Sequence, residues 1–213
     1  MLSTILIIVV MLLWCVVHSY TATNRMKIWT RERFGPETDR WYRFAYNSVS
    51  VLTAIPVLWL KRSLPDSLIY LIPLPWPILL LVIQSIGFII IVMGVLQLGT
   101  RPFAGIQALF SKDQPAEISG FVQTGIYGWI RHPLYLGGLL IIWPATGMSV
   151  NLLALLIIAT IYIVVGAKLE EKRYVEEFGE AYVKYQQEVP MLVPDLRRLV
   201  KQLGNNKKSS EAE

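Results

Sequence analysis

The chain has 213 residues, of which 54% are hydrophobic and 16% are charged, and its mean hydropathy is +0.48. This composition excludes an ordinary soluble domain, because the apolar residues occur in runs about as long as a bilayer is thick. The single cysteine, Cys15, excludes an intramolecular disulfide and a thiol-based metal site. The net charge of +5 does not require nucleic acid as a partner, because anionic lipid attracts basic residues beside a membrane.

Five apolar segments predict membrane-spanning helices, so the predicted fold class is an all-α integral membrane protein with about five transmembrane helices. In chain order the segments are Leu2–Tyr20, Tyr42–Leu60, Trp76–Leu96, Leu134–Gly147 and Val150–Leu169. The fourth is short and contains Pro144, so we expect it to form a helical hairpin with the fifth through a turn at residues 147–149. Helical spacing from Ala167 to Tyr185 predicts a cytoplasmic C-terminal helix. Its aromatic stripe from Tyr174 to Tyr185 is interpreted as core packing.

The basic residues are distributed asymmetrically between the connecting segments. With alternating sides, 18 of the 20 Lys and Arg residues lie on one side and two on the other. The positive-inside rule makes the side with 18 cytoplasmic. We therefore expect the N-terminus to lie outside and the C-terminus and active site to be cytoplasmic, and an even number of spans would remove this asymmetry.

We predict one membrane domain, residues 1–200, followed by a polar, disordered cytoplasmic tail, residues 201–213. The connector from Thr21 to Arg43 is basic and amphipathic, which favours a position at the membrane surface. The connector from Leu64 to Pro77 contains four prolines and cannot form one regular helix. The loop of residues 97–124 is long and adjoins the candidate site, which is typical of functional loops.

Two polar clusters bracket the predicted hairpin. Residues 125–137 place Arg131, His132 and two tyrosines at the start of the fourth segment, and Glu170 and Glu171 follow the fifth. Placing an ionisable side chain at a membrane boundary costs free energy, so such residues are candidates for a functional role. His132 and Glu171 are candidate catalytic residues. The other histidine, His18, is interpreted as a polar helix end at the interface.

These residue types suit a zwitterionic ligand with an aromatic ring. Glutamates can bind an ammonium group, tyrosine faces can hold a sulfonium or an adenine, and a helix N-terminus can bind a carboxylate. The sequence contains no Gly-rich phosphate loop, and it has no third histidine with which to build a metal site. We therefore predict no metal.

In order, these motifs resemble the integral-membrane isoprenylcysteine carboxyl methyltransferase family and its phospholipid methyltransferase relatives. The resemblance covers residues 119–194 and includes G-x-Y-x-x-x-R-H-P-x-Y-x-G, the Glu170-Glu171 pair, F-G-x-x-Y-x-x-Y and Val189-Pro190. It implies S-adenosyl-L-methionine as the cofactor, and a lipophilic or small methyl acceptor as the partner, along with membrane lipids. The implied cofactor-binding residues are Ser119, Gly120, Phe121, Val122, Tyr127, His132, Pro133, Leu134, Tyr135 and Glu170, with Glu171 as a supporting partner.

The chain departs from this family at Gly166. The prenylcysteine enzymes have an arginine at that position, facing the substrate carboxylate, so a prenylcysteine is not the expected acceptor. The N-terminal third, with His18-Ser19 and residues 43–47, looks like bacterial relatives that include small-thiol S-methyltransferases. The acceptor group, a carboxylate, thiol or amine, stays open. The alternatives to a methyltransferase are a sterol-reductase-like NADPH oxidoreductase and a non-catalytic membrane binding protein.

Overall fold

The computed structural model describes residues 2–98 and 121–194, and this part of the chain is mainly helical. The predicted tail at 201–213 and the predicted cofactor residues Ser119 and Gly120 lie outside the described residues. The described ranges contain a one-turn 3₁₀ helix, Gly125–Gly128, and seven α-helices. The α-helices are α1 Leu2–Thr21, α2 Asn24–Phe34, α3 Thr38–Ser63, α4 Pro77–Leu98, α5 Pro133–Ile142, α6 Val150–Phe178 and α7 Glu180–Glu188.

Helices α1, α4 and α6 are long and apolar enough to cross a membrane. At a rise of 1.5 Å per residue, about 20 apolar residues cover the hydrocarbon core of a bilayer. At most 22% of the residues in the apolar windows of these helices are buried inside the protein, so most of their side chains are at least partly exposed. The prediction of an all-α membrane protein is confirmed.

The two other predicted spans differ from expectation. The second lies within α3, a 26-residue helix that begins at Thr38 rather than Tyr42. The fourth was predicted to be helical to Gly147, which is wrong, because α5 has 10 residues and ends at Ile142. Pro144 follows closely and has no N–H to continue the helix. A helix of ten residues is only about 15 Å long, so the count of five complete crossings and its sidedness stay predictions.

The predicted turn at residues 147–149 is also wrong, because these residues form a short strand. This strand, β2 Gly147–Ser149, pairs antiparallel with β1 Leu68–Leu71, and Leu68 lies opposite Ser149. The connector before α4 therefore contains a strand and is not one regular helix, as its prolines predicted. The pairing gives hydrogen-bond partners to backbone groups that have left the helices.

Helices α4 and α5 approach each other closely through Gly87 and Gly137. A Cβ atom at Gly87 would lie 2.7 Å from the carbonyl oxygen of Gly137, and one at Gly137 would lie 2.6 Å from that of Gly87. Small residues permit such contacts between membrane helices. About two turns closer to the site, Gly94 leaves room for Leu134. This packing fixes the N-terminal end of α5, where His132 and Tyr135 lie.

Helix α6 continues past the predicted end of the fifth span at Leu169 and carries Glu170 and Glu171 on its C-terminal turns. It ends at Phe178, and the next residue, Gly179, has a φ of 58°, in the left-handed region that favours glycine. The chain then reverses into α7. The predicted helical segment from Ala167 to Tyr185 is therefore divided between α6 and α7, and α7 folds back toward the start of α5.

Candidate active site

A cavity of about 560 Å³ lies between the N-terminal end of α5, the C-terminal turns of α6, and α7. This volume falls within the range of small-molecule sites, roughly 300–1,000 Å³. Its lining contains each of the predicted cofactor-binding residues that the structure describes. These are Phe121, Val122, Tyr127, His132, Pro133, Leu134, Tyr135 and Glu170.

The lining also contains residues that the sequence analysis assigned elsewhere. Four belong to the aromatic stripe, namely Tyr174, Phe178, Tyr182 and Tyr185, and the remainder are Arg43, Leu98, Arg131 and Glu177. The stripe forms a buried cluster, as expected for core packing, but it also faces the cavity. The missed signal was spacing, because Tyr174 and Phe178 follow Glu170 at i+4 and i+8 on one helix face.

Glu170 is held by two tyrosines at the wall of the cavity. The Tyr135 hydroxyl donates to Glu170 Oε2 at 3.0 Å, and the Tyr174 hydroxyl donates to Oε1 at 3.2 Å. The side chain remains 28% exposed, and His132 Nδ1 lies 3.7 Å from Oε2. The carboxylate is thus fixed in direction but still accessible to a ligand.

Glu171 occupies a different environment behind His132 and does not line the cavity. Its Oε1 accepts hydrogen bonds from Arg131 Nε at 2.7 Å and His132 Nε2 at 3.0 Å. Its Oε2 accepts from Arg131 Nη2 at 3.0 Å and Gln186 Nε2 at 2.9 Å. A carboxylate has about four lone-pair positions, and these four bonds fill them. Because Glu171 only accepts, His132 Nε2 carries a proton in this arrangement.

Arg131 connects this buried cluster to the end of α7. Besides its two bonds to Glu171, its Nη1 donates to the carbonyl oxygen of Gln186 at 2.8 Å and also to that of Val189. The backbone N–H groups of Arg131 and His132 donate to the carbonyl oxygens of Pro190 and Met191. The segment that follows α7 is therefore bound along residues 131–132, which explains how Val189-Pro190 belongs to the site motif.

An aromatic wall closes one side of the cavity. The centroid of the Phe121 ring lies 4.9–5.3 Å from the ring centroids of Phe178, Tyr182 and Tyr185. The Tyr185 hydroxyl donates to the carbonyl oxygen of Tyr127 at 2.6 Å. Burial raises the pKa of the Tyr127, Tyr182 and Tyr185 hydroxyls, so all three stay protonated near neutral pH. The wall thus presents neutral rings suited to a planar or cationic ligand group.

Residues 1–189 match a family described as "Protein of unknown function (DUF1295)". A methanethiol S-methyltransferase of Pseudomonas sp. (strain GM41(2012)) is 33% identical over 180 residues, which cover 83% of this chain and 68% of that protein. Methanethiol S-methyltransferase 2 of Bradyrhizobium diazoefficiens is 30% identical over 192 residues, covering 89% of this chain and 72% of that protein.

A more distant match is the protein-S-isoprenylcysteine O-methyltransferase of Saccharomyces cerevisiae, which is 34% identical over 79 residues, 34% of this chain and 32% of that protein. No solved structure matches the chain significantly. The predicted resemblance to membrane methyltransferases is confirmed, as is the prediction of an enzyme that transfers methyl groups. The apolar helices place it in a membrane, and the chain therefore belongs to the DUF1295 family and is a membrane methyltransferase.

Proposed function

We propose that the protein transfers a methyl group from S-adenosyl-L-methionine to a small, membrane-partitioning thiol at the cytoplasmic membrane face. The observation that carries this proposal is the cavity beside Glu170, in which an accessible carboxylate, His132 and an aromatic wall converge. The relatives that match over most of this chain are named for methyl transfer to methanethiol.

The residues around the cavity fit this cofactor. Glu170 can bind its ammonium group, since the carboxylate is held by Tyr135 and Tyr174 yet still exposed. The N-terminus of α5 can bind its carboxylate, because His132 precedes the helix without a side-chain cap to occupy the first N–H groups. The rings of Phe121 and Tyr182 can contact the adenine. When bound, the cofactor supplies a methyl group on a sulfonium sulfur that is already an activated leaving group.

The protein therefore contributes mainly by aligning the methyl donor with the acceptor and by excluding water from the site. His132 is fixed by Glu171, and Glu171 is fixed in turn by Arg131 and Gln186. We assign Glu171 a positioning role, because its lone pairs are filled and it does not line the cavity. A thiol acceptor would then need another group to receive its proton.

The departure from the family pattern at Gly166 supports a thiol, rather than a prenylcysteine carboxylate, as the proposed acceptor. Gly166 offers no charged side chain, and a Cβ atom built there would meet nothing within 4 Å. The oxidoreductase and non-catalytic alternatives are not favoured, because the relatives with long matches are named methyltransferases.

The test is calorimetric binding of S-adenosylhomocysteine to the purified protein in detergent. Glu170→Gln should weaken binding about ten- to a hundredfold, the value of a charge-assisted hydrogen bond of about 1.5–3 kcal/mol. Glu176→Gln, on the same helix but in an exposed pair with Lys172, is the matched control and should bind normally. Unchanged affinity in Glu170→Gln would contradict the assignment of this cavity to the cofactor.

A further inference from the structure

A second chamber adjoins the cofactor cavity on the side of α1 and α3. It has a volume of about 610 Å³, and Arg43, Leu98 and Glu170 line both spaces. Its walls come from residues near the ends of α1, α2, α3, α4 and α6, including Tyr46 of α3. A ligand in this chamber would therefore lie next to Glu170, the proposed partner of the cofactor's ammonium group, without contacting the aromatic wall.

His18, which the sequence analysis interpreted as a polar helix end, lies behind Tyr46 and makes hydrogen bonds and ring contacts with its neighbours. His18 Nε2 lies 2.8 Å from the Tyr46 hydroxyl, and its Nδ1 lies 2.8 Å from Ser50 Oγ. The Trp14 ring stacks on the His18 imidazole, with 4.8 Å between the ring centroids and an angle of 10° between the ring planes. Tyr162 contacts it from α6. Both ring nitrogens are thus engaged, and the ring orientation is fixed.

The hydrogen bonds around Ser50 determine which nitrogen carries the proton. Ser50 Oγ has one hydrogen, and it donates this hydrogen to the carbonyl oxygen of Tyr46 at 2.7 Å. It must therefore accept from His18, so Nδ1 is the protonated nitrogen. In the neutral imidazole, Nε2 then has a free lone pair and accepts from the Tyr46 hydroxyl. In this form, the basic nitrogen of His18 is bonded to a residue of the chamber wall.

We propose that the second chamber binds the methyl acceptor and that Tyr46 and His18 form a relay that removes the thiol proton. This inference rests on the proposed function. In the step, the thiol S–H bond breaks, its proton goes to the Tyr46 oxygen, and the Tyr46 proton goes to His18 Nε2. The electron pair left on sulfur forms the bond to the methyl carbon, and the pair of the broken carbon–sulfonium bond stays on the donor's sulfur.

The charges around the chamber are consistent with a thiolate forming there. Lys27, Arg43 and Arg173 line it, against the two carboxylates Asp39 and Glu170. Burial lowers the pKa of Lys27, and the charges of Arg43 and Arg173 lower it further, which indicates a positive potential in this space. The titratable groups that face the relay are Tyr162 from α6 and Tyr42 from α3, with Cys15 on α1 beside Tyr162.

The test compares two acceptors in four proteins: wild type, Tyr46→Phe, His18→Gln and the control Ser19→Ala. Ser19 neighbours His18 but bonds to Tyr162, outside the relay. The acceptors are ethanethiol, which is un-ionised at pH 7, and 4-nitrothiophenol, which is already a thiolate. With ethanethiol, Tyr46→Phe and His18→Gln should lower kcat/KM about tenfold or more, the scale of general-base catalysis. With 4-nitrothiophenol they should match the wild type within about twofold.

The pH dependence gives a second readout. In both relay variants, the logarithm of the ethanethiol rate should rise with pH in unit slope up to the thiol's own pKa, whereas the wild-type rate should level off earlier. Equal losses on both acceptors would show a structural role and overturn the relay, as would the absence of any loss. Affinity for S-adenosylhomocysteine should stay at the wild-type value throughout.

A spectroscopic measurement tests the relay independently of turnover. The chain has two histidines, so ¹⁵N-labelled imidazole spectra of the wild type and His132→Gln assign each one. His18 should be neutral with its proton on Nδ1, and a proton on Nε2 would overturn the proposal. A wild-type protein that methylates neither thiol would instead refute the proposed function, and the tautomer would still test the relay geometry.

Discussion

Replacing Glu171 by Gln should destabilise the protein far more than an ordinary surface change. Arg131 and Glu171 form a bidentate pair whose side chains are each only 9% exposed. Removing one charge of a buried pair leaves the other uncompensated, which costs about 3–5 kcal/mol. For a chain of this size, about 2–4 °C of melting temperature corresponds to each kcal/mol, so the Tm should fall by about 6–20 °C.

The assay is thermal unfolding in detergent, followed by a probe of tertiary structure such as tryptophan fluorescence. Glu176→Gln provides the control, because its ion pair with Lys172 is 3.9 Å long and both side chains are more than half exposed. Exposed pairs contribute little, so the control Tm should change by less than about 2 °C. The reasoning is refuted when Glu171→Gln melts as the control does.

Three further predictions follow from packing, burial and charge. Gly137→Ala should cost about 1–3 kcal/mol by overpacking against Gly87, whereas Gly138→Ala, whose Cβ meets nothing within 4 Å, should be neutral or stabilising in the same melting assay. Burial raises the pKa of Tyr185 in the folded protein. The protonated Tyr185 side chain therefore stabilises the fold fully below the unfolded-state pKa of about 10, and this stabilisation is lost as the pH rises further. Tyr185→Phe should reduce the fall in Tm above that pH. Reporter fusions after Ser67 and after Leu199 should signal from opposite membrane sides, and signals from the same side would contradict the five-span topology.

The residue types of the site were predictable because their chemistry is visible in the sequence. His132, Tyr135 and Glu170 stand at the ends of apolar segments, where polar residues are costly without a role. Their convergence on one cavity follows from the hairpin between α5 and α6, which the apolar lengths indicated. Glu170 and Glu171, in contrast, are adjacent in sequence, and only the structure shows that one faces the cavity while the other binds Arg131.

The less predictable features depend on contacts between residues distant in sequence. Helix α5 ends at Ile142, shortly before Pro144. Strand β2 pairs with β1, a partner about 80 residues earlier in the chain, roughly the separation of Leu68 from Ser149. The sequence favoured a continuous helix to Gly147 because its residues are apolar. Likewise, the neighbours of His18 come from three helices, so a reading of its own segment indicated no more than a polar helix end.

The most direct test of the central claim is to incubate membranes containing the protein with a radiolabelled methyl donor, S-adenosylmethionine, and a small thiol, and to identify the labelled product. Membranes containing Glu170→Gln serve as the control, because the cofactor cavity should then bind its ligand poorly. The account predicts a labelled, base-stable thioether in the wild type and much less in the variant. Efficient formation of a base-labile methyl ester on a farnesylcysteine analogue, with no thioether from the thiol, would contradict it.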